Sequence, residues 1–464
     1  MHESSSIERI AVIGLGKLGS PIAACLAAAG YTVIGVDTDP AKVEAINSGV
    51  APVRETDLDA MIARSEGRLS ATTEIDRAVE ASDATLIMVP TPSDPDGRFS
   101  LKFVLAAVRA AGRALRGKRG YHLVSVCSTV MPGATGSEIR EALELASGRR
   151  LGETLGLCYS PEFIALGSVI RDYLNPDMVL IGESDRRAGN VLERLYRTVC
   201  RNEPVVQRMS FINAELTKIA VNSYITTKIT FANMIAGICQ NLPGADVDVV
   251  TGALGCDSRI GRKYLKGAVG YGGPCFPRDN VALARAADLA AAGADLARTV
   301  DQVNRHEVRR LADLVRTHLT DSQHTVGVLG LSYKPHTDVI EQSQGLLLTQ
   351  LLAAEGVPVI AHDPAALENA RGALGDDVRF AATLEDCLDA ADVLVITTPW
   401  PQYAALTGAM LAGAGRHRRV IDCWRCVEDV VLRESADYIA IGLGPRETAA
   451  DVDIRVNAAT LQVA

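Results

Sequence analysis

Residues 9–37 read RIAVIGLGKLGSPIAACLAAAGYTVIGVD, and this stretch decides how the chain begins to fold. Two apolar runs flank a glycine-rich turn and an alanine-rich segment, which predicts a buried strand, a helix and a second buried strand. Gly14, Gly16 and Gly19 form a GxGxxG pattern after the first strand, and Asp37 ends the second. The stretch therefore predicts one βαβ unit of a parallel sheet.

The glycine turn predicts a binding site for NAD. Gly14 allows the tight turn, Gly16 lets the backbone approach a pyrophosphate, and Gly19 permits close contact between helix and strand. Asp37 would accept hydrogen bonds from ribose hydroxyls and repel a 2'-phosphate, which favours NAD over NADP. A glycine turn that binds nothing is the alternative interpretation, because GxGxxG alone is a weak signal.

Strand-like runs and helical patterns alternate outward from this unit to about residue 208. The next segment, SFINAELTKIAVNSYITTKITFANMIAGICQNLPG, carries apolar residues at helical spacing as far as Pro243-Gly244 and predicts one long helix. A second strand-and-helix alternation follows, with Gly327 and Gly330 in its first turn but no GxGxxG. We predict an α/β protein in which two Rossmann-like, doubly wound domains, 1–208 and 320–464, are joined by a helical domain, 209–319, with a long central helix.

Composition narrows the classes of partner. The chain has 464 residues, 56 acidic and 47 basic, and a net charge of -9 with no basic patch, which argues against nucleic acid. Its alanine-rich runs are broken by arginines and its first residues lack the pattern of a signal peptide, so we expect no membrane segment. Its ten cysteines lie mostly in apolar contexts, which indicates reduced thiols and a cytoplasmic location.

The stretch GYGGPCFPRDN, residues 270–280, surrounds one cysteine with glycines and prolines. Pro277 suits the first turn of a helix, so Cys275 would lie at the positive end of that helix, where we expect its pKa to fall. Asp279 would be either a residue that favours the helix dipole or a general base. Lys218 and Asn222 share a face of the long helix and could hold an oxyanion, although a solvated pair is the simpler interpretation.

A CxxC pattern at Cys423 and Cys426 raises the question of zinc or redox chemistry. The sequence has no second CxxC and no paired histidines nearby, so we interpret these cysteines as structural and expect no metal.

The motifs together resemble the UDP-glucose/GDP-mannose dehydrogenase family over nearly the whole chain. The resemblance is carried, in the family's order, by GLGKLG, VPTP, CSTVMPG, SPEF, LNPD, ELTKIAVNSYITTKITFANMIA, DSRIG, GYGGPCFPRD and GLSYKPHTD. It implies oxidation of the C6 alcohol of a nucleotide sugar to a carboxylate, with two NAD reduced in turn. Cys275 would capture the aldehyde and then carry a thioester, and Asp279 would be the base.

The resemblance implies further roles by matching position. Lys218 and Asn222 would stabilise the developing oxyanion, Glu162 would help to activate water, and Thr129 would position that water. The implied cofactor contacts are Gly14, Gly16, Lys17, Leu18, Gly19, Asp37, Pro90, Thr91, Thr129, Glu162 and Arg278. The implied substrate contacts are Phe163, Lys218, Asn222, Arg259, Tyr271, Gly272, Cys275, Tyr333 and Lys334. Because Arg259 matches a residue that reaches a neighbouring subunit, the resemblance also implies a homodimer.

The chain departs from the family pattern at two points, which leaves its substrate open. Residues 164–167 are Ile-Ala-Leu-Gly where the family often has Leu-Arg-Glu-Gly, and Glu341 stands where the family has an arginine. UDP-glucose is the default substrate, TDP-glucose a competitor, and N-acetylated hexosamines a weaker option. A two-electron hydroxyacid dehydrogenase and a catalytically silent NAD-binding partner subunit are the alternative classes.

Overall fold

The computed structural model describes residues 7–319, 324–412, 418–428 and 436–445. The chain divides into two compact units that interleave along the sequence. The first contains Met1–Tyr224, Pro274–Thr299 and Pro335–Asp338, and the second contains Ile225–Gly273, Val300–Lys334 and Val339–Ala464. The predicted boundary at residue 320 lies outside the described residues, and the boundary after residue 208 stays a prediction.

The first unit is built on an eight-stranded sheet in the order β3-β2-β1-β4-β5-β6-β7-β8. Its strands are β1 (Arg9–Ile13), β2 (Thr32–Val36), β3 (Leu69–Thr72), β4 (Ala84–Ile87), β5 (His122–Val126), β6 (Leu155–Tyr159), β7 (Met178–Glu183) and β8 (Val205–Met209). Its first six strands have the order 3-2-1-4-5-6 of a dinucleotide-binding fold. Alternate residues of β1 enter two separate hydrophobic cores, so the sheet is buried on both faces.

The end of this sheet differs from the parallel sheet that the sequence predicts. β7 pairs antiparallel with β6 through Cys158 and Tyr159, and β8 pairs parallel with β7. The last two strands therefore run opposite to the first six. A single strand pattern carries no direction, so the apolar run at Met178–Glu183 could not reveal this reversal.

Helices cover both faces of the first sheet. They are α1 (Gly19–Ala28), α2 (Pro40–Asn47), α3 (Leu58–Arg64), α4 (Ile75–Glu80), α5 (Lys102–Leu115), α6 (Arg140–Ser147), α7 (Val169–Leu174) and α8 (Arg186–Val199), with a π-helical turn at Thr135–Ile139 before α6. Small residues make α1 almost wholly buried, which brings its first turn close to the glycine turn after β1. The predicted strand, turn, helix and strand over residues 9–37 are thus confirmed.

The central region is helical, as the sequence predicts. Its helices are α9 (Phe211–Gln240), α10 (Val247–Leu254), α11 (Phe276–Leu289) and α12 (Asp295–Thr317). The thirty-residue α9 ends shortly before Pro243, because proline cannot donate the backbone hydrogen bond that would continue it. In the described part of the chain, no helix is both long and apolar enough to cross a bilayer.

The second unit contains a six-stranded sheet in the order β11-β10-β9-β12-β13-β14, with every neighbouring pair parallel. Its strands are β9 (Val326–Leu329), β10 (Val359–His362), β11 (Arg379–Phe380), β12 (Val393–Ile396), β13 (Arg418–Asp422) and β14 (Ala436–Ala440). Its helices are α13 (Gln344–Ala354), α14 (Leu367–Leu374), α15 (Leu384–Ala390), α16 (Pro401–Ala404) and α17 (Gly408–Leu411), with a 3-10 turn at Gly375–Asp377. The order is again 3-2-1-4-5-6, which confirms the predicted fold class of two Rossmann-like domains with a helical region between them in the sequence.

Candidate active site

The glycine turn after β1 has the geometry of a pyrophosphate cradle. Gly14 has φ +100°, a conformation that favours glycine, and its N–H donates to the carbonyl of Val36 at 2.7 Å. A Cβ on Gly19 would lie 1.8 Å from the carbonyl oxygen of Gly14, so only glycine lets α1 begin so close to the turn. A Cβ on Gly16 would meet nothing within 4 Å, which leaves this backbone open to a ligand. These residues fit NAD, with its phosphates at the N-terminus of α1.

Asp37 lies at the carboxyl end of β2 and faces the same turn. Its carboxylate accepts from the N–H of Leu15 at 2.8 Å and from the N–H of Asp39 at 3.0 Å. Lys42 lies 3.5 Å from it. A carboxylate has about four lone-pair positions, so Asp37 keeps capacity for the ribose hydroxyls predicted from the sequence.

Lys17 and Leu18 occupy the variable positions of the turn. Lys17 forms an ion pair with Asp338, which belongs to the same unit, and Leu18 precedes α1 with its side chain exposed. No pattern in the sequence predicts this pairing of Lys17 with Asp338.

The loops after β4 and β5 hold three more of the predicted cofactor residues. Pro90 and Thr91 follow β4, and Thr129 follows β5, so all three lie beyond the carboxyl ends of neighbouring strands. Ligands of doubly wound sheets bind at that edge. The carbonyl of Thr91 accepts from Nη1 of Arg278 at 2.8 Å, which connects this loop to α11.

Two helices of the first unit bring together a lysine, an asparagine and an aspartate. Asn222 on α9 donates its side-chain N–H to Oδ2 of Asp279 on α11 at 2.6 Å. Lys218, one turn earlier on α9, donates to the backbone carbonyl of Glu162 at 2.7 Å. The three side chains of Lys218, Asn222 and Asp279 are buried. The predicted pair on the long helix is therefore part of a polar cluster and is not a solvated surface pair.

The carboxyl of Asp279 is buried and only partly hydrogen-bonded. Burial raises its pKa, against the lowering influence of Lys218, Arg278 and the Asn222 hydrogen bond. Its Oδ1 is buried with no hydrogen-bond partner among the described residues, and Nε of Arg278 lies 3.5 Å away. The guanidinium of Arg278 also stacks 4.8 Å over the ring of Phe99. A carboxylate oxygen without a donor is available to a substrate hydroxyl.

Cys275 lies immediately before α11, as predicted, but its pKa does not fall. Surrounding protein and the charge of Asp279 raise the pKa of the thiol, and Lys218 and Arg278 oppose this only in part. The residue itself retains exposed surface. The helix N-terminus is therefore outweighed by desolvation and by a carboxylate one turn away. Burial and the nearby carboxylate therefore favour the neutral thiol over the thiolate.

Glu162 and Phe163 follow β6 and border this cluster. Burial raises the pKa of Glu162 to about 7, and its Oε1 accepts from the hydroxyl of Tyr196 at 2.8 Å. The ammonium of Lys218 lies 4.6 Å over the ring of Phe163. The first unit thus assembles a thiol, two carboxyls with raised pKa values, a lysine and an amide.

The remaining predicted substrate residues belong to the second unit. The Tyr271 N–H donates to Asn304 at 2.7 Å, and the ring of Tyr333 packs where a Cβ on Gly273 would lie. Gly272 has a similarly close neighbour, the carbonyl of Gln342. Lys334 follows Tyr333 directly. Tyr271 and Gly272 therefore lie in one loop and Tyr333 and Lys334 in a second loop that adjoins it.

Arg259 is not part of that group. Its guanidinium is highly exposed and forms an ion pair with Asp257, two residues earlier, at 2.6 Å.

Sequence reasoning missed two residues that support the cluster. Glu215 on α9 accepts from the N–H groups of Gly133 and Thr135 at 2.6 and 2.7 Å and so ties the loop after β5 to α9. Tyr196 on α8 reaches Glu162. Tyr196 resembled a core residue of an amphipathic helix, while Glu215, in the ELTK motif three residues before Lys218, had a signal that could have been followed.

No metal centre emerges from the described ranges: they contain no group of three or more His, Cys, Asp or Glu side chains able to hold an ion. Cys423 is buried, and the thiol of Cys426 lies 3.6 Å from Oδ1 of Asp422.

Three models of one family match consecutive parts of the chain. The UDP-glucose/GDP-mannose dehydrogenase family, NAD binding domain, matches residues 8–200. The central domain of that family matches 212–306, and its UDP binding domain matches 327–429.

Individual relatives agree along almost the full length. UDP-glucose 6-dehydrogenase AglM of Haloferax volcanii is 37% identical over 433 residues, which is 92% of this chain and 99% of the relative. GDP-mannose 6-dehydrogenase of Pseudomonas putida is 32% identical over 432 residues, 89% of this chain and 95% of the relative. A UDP-glucose dehydrogenase structure from Pyrobaculum islandicum aligns with TM-score 0.86 and 35% identity, covering 96% of this chain and 99% of that one.

Proposed function

Because this chain belongs to the UDP-glucose/GDP-mannose dehydrogenase family, whose members are NAD-dependent oxidoreductases of nucleotide sugars, we propose that it converts the C6 alcohol of a nucleotide-linked glucose to the carboxylate. The observation that carries the proposal is the cluster of Cys275, Asp279, Lys218 and Asn222. Cys275 and Asp279 are one helical turn apart, joined by the hydrogen bond from the Asp279 N–H to the Cys275 carbonyl at 2.9 Å, so they share a face. When bound, NAD supplies the hydride acceptor for both oxidations.

Asp279 would take the proton of the C6 hydroxyl, directly or through a water. Burial makes its carboxylate a stronger base than a solvated one, and Asn222 fixes one oxygen so that the other faces the substrate. Lys218 and Asn222 would donate hydrogen bonds to the oxygen as charge develops on it.

Cys275 would then retain the aldehyde covalently. As the sulfur–carbon bond forms, the former aldehyde oxygen gains the proton that the thiol loses, which gives a thiohemiacetal. The raised pKa of Cys275 keeps the free thiol neutral, so it reacts only where the cluster can move this proton. A second oxidation removes a hydride from the carbon and the hydroxyl proton, leaving a thioester.

Glu162, with Thr129 holding the water, would support hydrolysis of that thioester. The oxygen of water bonds to the carbonyl carbon, one water proton passes to the Glu162 carboxylate, and the carbon–sulfur bond breaks with its electron pair on sulfur. A carboxyl with a pKa of about 7 can both accept and release a proton near neutral pH.

We propose UDP-glucose as the first substrate to test, because a relative 37% identical and a solved structure 35% identical are named for it and the last matched domain is named for UDP. TDP-glucose is the main competitor, since its base differs by one methyl group. Glu341 is a reason to test more than one nucleotide, because it places an acid where the family resemblance implies an arginine for phosphate. Tyr333 and Lys334 would contact the nucleotide sugar.

We also propose a homodimer that uses one face of α9. Apolar side chains at helical spacing are exposed along it, at Ile212, Leu216, Tyr224, Phe231, Met234 and Ile238. A second copy would cover this stripe and bring Arg259 within reach of the partner's substrate. Light scattering of the purified chain would detect the dimer, and Phe231→Asp should weaken it, whereas Leu145→Asp, exposed elsewhere on α6, should not.

The deciding experiment measures NADH formed per sugar consumed with UDP-, TDP- and GDP-linked hexoses. Two NADH per sugar with one of them supports the four-electron route and identifies the nucleotide. One NADH per sugar indicates a two-electron dehydrogenase and makes Cys275 a structural thiol. No NADH with any of them favours the silent subunit.

Cys275→Ser separates covalent capture from binding. The variant should bind NAD and substrate but fail to complete the carboxylate, because a serine hydroxyl does not form a thioester. Cys256→Ser, which changes an exposed thiol outside the cluster, is the matched control. Full turnover by Cys275→Ser would refute the assignment.

A further inference from the structure

A chain of hydroxyl groups leads from Glu162 into the first sheet. The Tyr196 hydroxyl lies 2.8 Å from Oε1 of Glu162 and 2.9 Å from Oγ of Ser160. Oγ of Ser160 lies 3.0 Å from the carbonyl oxygen of Leu180 on β7. Tyr196 and Ser160 are almost wholly buried, so this chain is shielded from bulk water.

Counting protons shows that this chain can satisfy Glu162 in both of its charge states. When Glu162 is neutral, its O–H donates to Tyr196, Tyr196 donates to Ser160, and Ser160 donates to the Leu180 carbonyl. When Glu162 is ionised, Tyr196 donates to the carboxylate and Ser160 donates to Tyr196. Only the two hydroxyl hydrogens rotate between the states, and no heavy atom has to move.

The surroundings of Glu162 make both states accessible. Burial raises its pKa to about 7, while the Tyr196 hydrogen bond and the charge of Lys218 lower it. The titratable groups that face it come from four other parts of the first unit: Cys127 after β5, Tyr173 on α7, Tyr196 and Cys200 at α8, and Lys218 on α9. Lys218 is the one cation in this set.

We infer that Tyr196 and Ser160 are positioning residues that orient the Glu162 carboxyl and let it take up and release one proton during hydrolysis of the Cys275 thioester. The inference rests on the proposed function, because it needs a thioester for water to attack. Tyr196 acts through Glu162 and does not touch the reacting carbon. Its hydroxyl holds Oε1, and no described residue donates to the other carboxylate oxygen, which is left for water.

Tyr173 provides a control inside the same core. Its ring centroid lies 6.1 Å from that of Tyr196, and it is equally buried. Its hydroxyl, however, has no hydrogen-bond partner among the residues that the structure describes. Replacing either tyrosine by phenylalanine therefore removes one oxygen from the same cluster, but only one replacement breaks the chain.

The test compares Tyr196→Phe with Tyr173→Phe in the full-length enzyme, using its nucleotide sugar and NAD. Acid quenching followed by intact mass measures decay of the sugar adduct on the protein as a function of pH. In Tyr196→Phe the Glu162 carboxylate loses a hydrogen-bond donor, so its pKa rises. The rising limb of the plot of hydrolysis rate against pH should therefore move up by about one pH unit. At pH 7 this slows hydrolysis about fivefold, while the first NADH burst and KM stay unchanged.

Ser160→Ala tests the second link with the opposite sign. Without Ser160 the neutral state loses two hydrogen bonds, from Tyr196 to Ser160 and from Ser160 to the Leu180 carbonyl, whereas the ionised state loses only the one from Ser160 to Tyr196. The neutral state is therefore destabilised more, and the rising limb of the pH–rate profile should move down by about half a unit. Opposite shifts in two variants are not a consequence of general damage to the fold. They also keep the inference testable if Tyr196→Phe folds poorly.

Several results would overturn the inference. A limb that stays in place in Tyr196→Phe, one that shifts equally in Tyr173→Phe, or one that does not move down in Ser160→Ala would each contradict the chain. Failure of the proposed function is recognised separately, because the wild type would then form no adduct and fewer than two NADH per sugar.

Discussion

The first turns of the two sheets follow the same backbone course. Gly14 comes directly after β1 and Gly330 directly after β9, with φ +100° and +116°. Each donates its N–H to the last residue of the neighbouring strand, Gly14 to Val36 at 2.7 Å and Gly330 to His362 at 2.9 Å. In both domains the chain therefore turns directly after the first strand of the sheet, with the same glycine conformation.

The acid after the second strand is also shared, but its surroundings differ. Asp37 accepts from Leu15 N–H and Asp363 from Leu331 N–H, both at 2.8 Å. Asp363 accepts in addition from the N–H and hydroxyl of Ser332, and its side chain is buried. Donors of the protein itself occupy the acceptor positions of Asp363, whereas the Asp37 carboxylate keeps acceptor positions for ribose hydroxyls.

The largest difference is the length of the turn. Five residues take the chain from Gly14 to Gly19, and fifteen take it from Gly330 to Gly345, yet a Cβ on Gly19 or Gly345 meets the carbonyl of the first glycine at 1.8 or 1.9 Å. The close start of the helix is thus kept while the turn itself is replaced by a long loop. The scaffold therefore needs the two end glycines, and dinucleotide binding needs the short turn between them.

Replacing Asp37 or Asp363 by alanine should separate cofactor binding from stability most strongly. Asp363→Ala leaves several buried donors without a partner and should lower the free energy of unfolding by about 4 kcal/mol. Asp37→Ala should lower it by only about 1 kcal/mol but should raise the Kd for NAD about tenfold and narrow the preference over NADP. Urea denaturation and cofactor titration would measure both.

Equal losses of stability in these two variants would contradict the comparison. So would an unchanged NAD-to-NADP ratio in Asp37→Ala, because the ribose contact would then be absent.

Alanine at either end glycine should harm only its own domain. In Gly19→Ala and Gly345→Ala a Cβ within 2 Å of a backbone oxygen forces the helix away, at about 3 kcal/mol. The two tryptophans of the chain, Trp400 and Trp424, both lie in the second domain. Their fluorescence transition in urea should shift in Gly345→Ala, whereas Gly19→Ala should mainly abolish NAD binding.

A fluorescence transition that shifts equally in both variants would mean that the domains unfold as one unit. The two turns would then not be independent elements, and the free energy of unfolding could not be divided between them.

The first turn could be predicted from the sequence and the second could not, for a physical reason. GxGxxG places its glycines close together in the chain, so Gly14, Gly19 and Asp37 could be assigned from spacing. Gly345 has the same steric role as Gly19, but ten additional residues separate it from its partner, and no short pattern spans them. Only the close approach in three dimensions identifies it.

The candidate site shows the same limit. Residues four apart on a helix, such as Lys218 and Asn222, could be paired from the sequence, whereas the contact between Tyr196 and Glu162 joins segments 34 residues apart. The pKa of Cys275 was predicted with the wrong sign, because helix position is local information and desolvation is not. Spacing predicts which residues share an element, and packing decides what charge they carry.

Gly16→Ala should affect binding without affecting folding. The structure offers open space for its Cβ, so the free energy of unfolding should stay within about 0.5 kcal/mol of wild type. In the NAD complex that methyl group would meet the pyrophosphate, and the Kd should rise about tenfold. A loss of stability in this variant, or an unchanged Kd, would show that the short turn is not the cofactor cradle.

Glu341 tests what the long loop of the second domain does instead. Its side chain is exposed, and its carbonyl accepts from the N–H of Gly273 at 2.8 Å, beside the loop that leads to Cys275. If the loop binds a phosphate-bearing substrate, Glu341→Arg reverses one exposed charge and should lower the KM for the nucleotide sugar about fivefold. Glu341→Gln removes the charge without adding one and should lower KM about twofold. Because an exposed charge is screened, both gains should shrink at high salt, and a KM that rises in Glu341→Arg would place the phosphates away from this loop.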